Sequence, residues 1–421
     1  MEAQGYGVKA EVICVGDELL SGLSDNTNAT WLCGQMVGFG GVVVAVTTVG
    51  DQLEAIESAL LQAGSRADFV VITGGLGPTS DDRTKDAALS YFGGTLVPVE
   101  EEIERIRLMF AERGLPLTDR NVAQGWVPDT AVVLSNHVGT APGMEFRKGG
   151  TTYVFLPGVP AEMKHIFTRF QERWFGQPDL DTLPYVSSDI TTVGIGESFV
   201  ADTLSGWEKA LPKELGVGYY PAAGMVRVRL SCRHQHPATA MARLQHHLVQ
   251  AAAHFPQDAF LTFGKSWDQY FFEEMQSRGL SLATAESCTG GYLAHRVTTV
   301  PGSSAIFRGS IVAYHNIIKT EMLGVDPDIL EAHGAVSRET VVQMAEAVCG
   351  TMGAEVGVAI SGIAGPEGGT PEKPVGTVWV AVAFNGTTTA EKHLMGSHRL
   401  RNIEKSAIVA MRLILKMISN G

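Results

Sequence analysis

The densest chemistry in the chain lies between residues 282 and 319. "ATAESCTGGYLAHRVTTVPGSS" sets Ser287 between a strand-like run and a helix-like one, and Gly290 and Gly291 allow close backbone approach at the turn. A hydroxyl so placed faces unpaired backbone N–H groups and the positive end of a helix dipole. There a developing oxyanion is stabilised, usually the largest single contribution to acyl transfer. Serine becomes a nucleophile only with a base beside it. "RGSIVAYHNIIK" supplies Tyr314 at a strand's end and Lys319 in the helical turn that follows. An amine drawn into apolar surroundings loses proton affinity and can act as that base, with Ser304 as a possible relay. Cys288 is the rival nucleophile, but no neighbouring feature marks it as an activated thiolate, and it reads as buried filler.

Further along, "VGVAISGIAGPEGGTPEKPVGTVWVAV" places Ser361, Gly362 and Gly365 at a strand terminus, where α/β sheets bind ligands. "MGSHRLRN" brings Arg399 and Arg401 ahead of the last helix, and either could clamp a phosphate. With Thr289 and Gly290 beside the serine, these form the candidate substrate contacts. Each residue also has a plainer reading. Ser287 could cap a helix, Lys319 be a solvated charge, Tyr314 a core ring, and Arg399 a partner for surface acids.

A second constellation lies near the beginning. "VGDELLSGLSDNTNATWL" gives Asp17 and Glu18 at a strand's end and Asn28 at a helix start, and Asp51 follows another strand. "TGGLGPTSDDRTKDA" sets Gly75, Gly77, Thr79, Asp81 and Asp82 between a strand and a helix. A glycine loop ahead of a helix suits phosphate, and converging acids suit a divalent cation bridging it. The loop lacks the Gly-Lys-Ser/Thr of a P-loop, and Pro78 and Thr79 spoil the Rossmann spacing. Taken singly, such residues are caps and turns.

These sites need strands that end together. Residues 10–16, 40–50, 67–75 and 152–158 read as buried strands, with helical spacing over 26–38, 52–64 and 84–93. This alternation predicts a parallel sheet with helices on both faces. From about 175 to 260 the pattern changes to a small α+β module of two strands and two helices, in which "MVRVRLSCR" marks a sheet exposed on one side. Near Ser266 α/β alternation resumes, with a helix at 267–279, the strand "LSLATAES" and a terminal helix at 399–418.

The chain has 421 residues, 45% hydrophobic and 18% charged, which suits two or three globular domains. Its net charge of −13 opposes non-specific contact with DNA or anionic membrane. Five scattered cysteines suit reduced thiols in a cytoplasm. The start lacks the order of a signal peptide, and no apolar run approaches the ~20 residues that cross a bilayer. A cytoplasmic protein is expected.

"TAESCTGG", "PGSS", "GSIVAYHNIIK", "GAVS", "SGIAGPEGG" and "KPVGTVWVAV" occur in order over about 150 residues and resemble the C-terminal domain of the CinA family, the nicotinamide mononucleotide deamidases. The resemblance implies hydrolysis of the carboxamide to nicotinic acid mononucleotide and ammonia, without a cofactor. It makes Ser287 the nucleophile and Ser304, Tyr314 and Lys319 the proton-handling set. Ser361 and an arginine of 399–401 would contact substrate. The family commonly has threonine at Ser361. It also tends to show Gly-x-Arg where this chain reads Gly396-Ser397-His398-Arg399, which leaves Arg399 and Arg401 both open.

The N-terminal set, with "NHVGTAPGM" and "FLPGVPAEM", resembles the MoaB/Mog-like molybdopterin-binding domain in its CinA version. That implies a metal-dependent ADP-ribose pyrophosphatase, with Asp81 and Asp82 as metal or phosphate ligands and Asp17, Glu18, Asn28 and Asp51 lining the cleft. The family's Asn-x-Lys-Gln reads here Asn121-Val-Ala-Gln124, without that cation. The middle module resembles the family's KH-like connecting domain but lacks the Gly-x-x-Gly loop of nucleic-acid KH modules, which makes it a spacer or dimer element. The expected architecture is two three-layer α/β/α domains, 1–172 and 261–421, joined by the α+β module 173–260 in a homodimer. Two alternatives stand beside this reading. One is a pterin or nucleotide enzyme using only the N-terminal cleft; the other is a non-enzymatic partner in DNA uptake or repair, which the acidic composition opposes.

Overall fold

The computed structural model describes residues 7–175 and 183–420. The first six residues, part of the segment read for a leader, lie outside them, as do residues 176–182 near the start of the middle module. The chain divides into two compact units, Met1–Val186 with Arg233–Ala240 and Ser187–Cys232 with Met241–Gly421.

In the first unit the strands Phe69–Thr73 and Thr151–Leu156 are buried at every position, and Lys9–Val15 at all but its first. Together with Val42–Val49 they form a parallel set ordered 42–49, 9–15, 69–73, 151–156. Helices cover both faces. Ile56, Leu60 and Ala87 pack on one side, and Leu32, Met36, Met163 and Phe167 on the other. The expected all-parallel sheet is corrected at its far edge. Gly143–Lys148 pairs antiparallel with Thr151–Leu156, and Val132–Leu134 pairs antiparallel with Gly143–Lys148. Gly149 and Gly150, both at positive φ, make the link between Lys148 and Thr151. So short a link can join only antiparallel neighbours, because a parallel crossover needs a dozen residues or more.

The second unit holds one sheet and most of another. Four strands in the order 216–222, 225–233, 185–193, 260–263 make the middle module, twice the number expected from its sequence. The strand Phe260–Phe263 carries this sheet past residue 261, where the third domain was expected to begin. Val193, Met225 and Phe260 pack into the same core as Trp267, Ile408 and Met411, which makes the middle module and the C-terminal domain one compact unit.

The C-terminal sheet runs 307–312, 282–286, 356–362, 377–384, 387–394. Its first three strands are parallel and the last two antiparallel. Leu282, Val356, Val358, Ile360, Val378 and Val380 face the helices Trp267–Ser277, Tyr292–Thr298 and Arg399–Asn420. Ala283, Ala285, Ala359 and Ala381 face Arg338–Met352 and Asn316–Leu323, where small residues let the helices approach closely. This is a three-layer α/β/α arrangement.

Candidate active site

Strand parity splits two neighbours at the end of Leu282–Glu286. Glu286 points to the Leu282 face and is fully buried. Its carboxylate accepts the N–H groups of Gly291 at 3.1 Å, Leu293 at 3.0 Å and Ala294 at 2.8 Å. The positive end of the helix Tyr292–Thr298 is therefore neutralised by Glu286. This corrects the expectation that the dipole is free to serve Ser287. What Ser287 has instead is its own turn. Its N–H donates to Ile360 O, the amide of Cys288 lies against its own thiol, and the amide of Thr289 donates to no acceptor among the described residues. The buried Thr289 hydroxyl also lacks a partner. Gly290 and Gly291 sit at φ +61° and +96°, a conformation that side-chain-bearing residues resist.

Ser287 continues on the opposite face, where Lys319 reaches it from the helix Asn316–Leu323. Lys319 is 1% exposed, not a solvated charge, and its Nζ lies 3.1 Å from Ser287 Oγ. The same nitrogen donates to Ala313 O at 2.6 Å and Tyr314 O at 3.4 Å. Burial pulls its pKa below the ordinary 10.5, opposed by the nearby Cys288. As an ammonium Nζ donates to all three oxygens; once neutral, it would keep two N–H bonds for the carbonyls and have a lone pair for the Ser287 proton. Cys288 is buried and its thiol is pushed up to about 12, chiefly by burial, so it remains protonated.

Three expected members of the set stand elsewhere. Ser304 is exposed on the short turn Ser303–Ala305 and bonds to neither Ser287 nor Lys319, whose direct contact makes a relay unnecessary. Tyr314 is 60% exposed, and its hydroxyl accepts from Arg399 at 3.0 Å; only its carbonyl touches Lys319. Ser361 is buried and donates to Ala335 O at 2.7 Å, so its hydroxyl ties strand to loop. Arg399 joins the Tyr314 hydroxyl to Gly365 O, at 2.7 Å. Arg401 is exposed. Gly362 closes the strand Val356–Gly362, and Gly365 sits at φ +89° against Val375. Two residues that sequence reasoning missed hold this frame. One is Glu286, an acid interrupting an apolar strand. The other is Asn402, whose buried amide donates to Ala364 O and Gly396 O and fixes the loops on either side of Arg399.

In the first unit a cleft of about 420 Å³ opens at the strand ends. Glu18, Asp51, Gly75, Gly77, Asp81 and Asp82 line it, together with Gln124 and Glu162, which were not foreseen. Asp17 instead exchanges bonds with Asp51, each backbone N–H donating to the other's carboxylate. Asn28 lines an adjoining pocket with Glu18, and its amide donates to Thr73 Oγ1 and Gly158 O. Thr79 donates through its N–H and its hydroxyl to Asp82 Oδ2, which holds the turn. Asp82 is thus partly committed, and among the described residues no three His, Cys, Asp or Glu stand close enough to cage a metal. A hard cation that keeps waters and takes one or two carboxylates plus ligand phosphate still suits the donors. Five carboxylates line the cleft, and among the described residues no lysine, arginine or histidine does. Asp51 is raised above the ordinary carboxylate range by burial and by the charges of Asp17, Glu18 and Asp81. A cation does stand behind the 123–126 turn: Lys85 Nζ donates to Trp126 O at 2.8 Å.

Comparison with known proteins finds three family models along the chain. Residues 11–176 match the probable molybdopterin binding domain, 187–260 the KH domain of damage-inducible protein CinA, and 265–418 the CinA C-terminal domain. A CinA-like protein of Cytophaga hutchinsonii is 38% identical over 419 residues, covering 98% of each chain. One of Salinibacter ruber is 38% identical over 416 residues, covering 98% of this chain and all of that one. Among solved structures, CinA of Thermoplasma acidophilum is 34% identical with a TM-score of 0.37, covering 40% of this chain and 98% of that one. With full-length identity at this level, the chain belongs to the CinA family.

Proposed function

We propose that the C-terminal domain hydrolyses the carboxamide of nicotinamide mononucleotide, with Ser287 as nucleophile and Lys319 as its base. The observation that carries this reading is the buried contact of 3.1 Å between Lys319 Nζ and Ser287 Oγ. Ser287 Oγ bonds to the carboxamide carbon as its proton passes to Lys319. The amide of Thr289 is the available donor for the oxyanion. The C–N bond breaks as Lys319 gives the proton to departing ammonia. Water then adds to the ester and yields a proton to Lys319, and the bond to Ser287 breaks as the serine regains that proton. One water is consumed, and ammonia and nicotinic acid mononucleotide leave. Arg399 would exchange its bond to Tyr314 for the substrate's phosphate, a stronger charge-assisted contact. No cofactor enters these steps.

The N-terminal domain, in this reading, splits the pyrophosphate of ADP-ribose with a divalent cation. A cleft with five carboxylates and, among the described residues, no cationic side chain repels a pyrophosphate until a metal offsets the charge. Asp81, with the partly committed Asp82 beside it, would hold that ion together with waters and the ligand's phosphate, and the ion when bound would polarise a phosphoryl oxygen. Residence in the cytoplasm and a homodimer complete the proposal. Ammonia release from nicotinamide mononucleotide by the full chain tests it, with Ser287→Ala as control. Retention of full release in that variant would overturn the C-terminal assignment and favour the pterin or nucleotide alternative.

A further inference from the structure

The N-terminal cleft presents a side chain that the reading above leaves without a task. Gln124 follows the helix Asp119–Ala123, is buried and lines the cleft, yet its Oε1 has no partner among the described residues. A buried amide oxygen needs a donor. A sugar hydroxyl or an exocyclic amine can provide one, whereas a phosphate oxygen cannot.

What holds Gln124 in place is Lys85, on the helix Thr84–Phe92. Its Nζ donates to three carbonyls of the turn, Ala123 O at 3.5 Å, Gln124 O at 3.3 Å and Trp126 O at 2.8 Å. Three N–H bonds meet three carbonyls on both sides of Gln124, so the ammonium's donors are fully used. A neutral amine has two N–H bonds and must release one carbonyl.

Burial lowers the Lys85 pKa from 10.5 to about 8, opposed by the charge of Asp86 on its own helix. The helix Leu53–Gly64 and the strand Trp126–Pro128 pack against the helix that carries it, and Asp86 is the charged group that acts on it. The folded pKa lies below the unfolded one. Between about 8 and 10.5 the unfolded chain therefore holds a proton that the folded chain has lost, and stability rises with pH across that window. Below it the ammonium is a net cost to folding, and what it secures is the geometry of the turn.

We propose that Lys85 is a positioning residue for the N-terminal cleft: its ammonium clamps the 123–126 turn so that Gln124 presents its amide to a sugar hydroxyl or amine of the ligand, and loss of its proton releases the clamp. The ligand part of this statement rests on the ADP-ribose reading; the clamp does not.

The test uses the full chain with Mg²⁺, as wild type, Lys85→Arg and Lys85→Met. Hydrogen exchange over 119–128, corrected for the intrinsic effect of pH, and ADP-ribose hydrolysis are both followed from pH 7 to 9.5. In the wild type, protection of the turn should fall and KM rise about tenfold on crossing pH 8, with kcat changing less. Arginine stays charged, so Lys85→Arg should show neither alkaline change. Lys85→Met should have the high KM at every pH with a Tm at or above that of the wild type. An alkaline limb shared by wild type and Lys85→Arg would overturn the clamp, as would pH-independent protection of the turn or a Lys85→Met protein losing Tm along with affinity. If no metal-dependent ADP-ribose hydrolysis occurs at any pH, the N-terminal reading fails and the exchange data alone decide the clamp.

Discussion

Glu286 and Ser287 are sequence neighbours that face opposite sides of one sheet. Glu286 takes three N–H groups of the next helix, and Ser287 takes the Lys319 amine. The acid thereby pins the start of the turn that carries the serine. Glu286→Ala would leave one buried and two half-buried donors unpaired, at up to about 1–3 kcal/mol each before relaxation. Loss of Tm together with a fall in kcat is the expected outcome, read by thermal melts and ammonia release. A fully active and equally stable Glu286→Ala protein would show that the carboxylate is dispensable.

Lys319→Ala should lower ammonia release about 10²–10⁴-fold, the range for loss of a positioned base. ADP-ribose hydrolysis should be unchanged, since Lys319 lies in the other compact unit from the N-terminal cleft. Parallel losses in both assays would count against independent sites.

The pH profile follows from the direction of the Lys319 shift. Only the neutral amine can take the proton of Ser287, and burial favours the neutral form. Deamidation should therefore rise with pH and level off below 10.5, the ordinary pKa of lysine. A rate that is highest in acid and declines towards neutrality would contradict a lysine base.

Cys288→Ala should deamidate within a few-fold of wild type, because a thiol pushed up to about 12 supplies no thiolate. Inactivation of the native enzyme by a thiol reagent, traced by peptide mapping to Cys288, would reopen the rival nucleophile.

Ser361→Ala should leave KM nearly unaltered, since the hydroxyl is spent on Ala335 O. A modest loss of Tm, about 1 kcal/mol for one hydrogen bond, is expected in melts. A KM raised tenfold or more would return Ser361 to the substrate.

The backbone framework was legible because apolar runs bounded by glycine mark strands that end together. The Ser287–Lys319 pairing was approachable for the same reason, since both residues follow a strand of one parallel sheet. What stayed hidden depends on which way side chains point. Nothing local shows that Tyr314 turns outward to Arg399, or that Ser361 is taken by Ala335 from another element. The role of Glu286 depends on parity across the strand end, and spacing alone assigned the helix amides to the serine. The hairpin through Gly149 and Gly150 carried a visible turn signal, yet the surrounding α/β alternation favoured a purely parallel sheet.

Trapping the intermediate tests the central claim most directly. The full chain is mixed with nicotinamide mononucleotide, quenched in acid within milliseconds, digested and mapped by mass spectrometry. The account predicts a nicotinate-ribotide ester on Ser287, absent from Ser287→Ala, together with a burst of ammonia matching the ester formed. A peptide containing Ser287 that stays unmodified while Ser287→Ala still releases ammonia at the wild-type rate would contradict it.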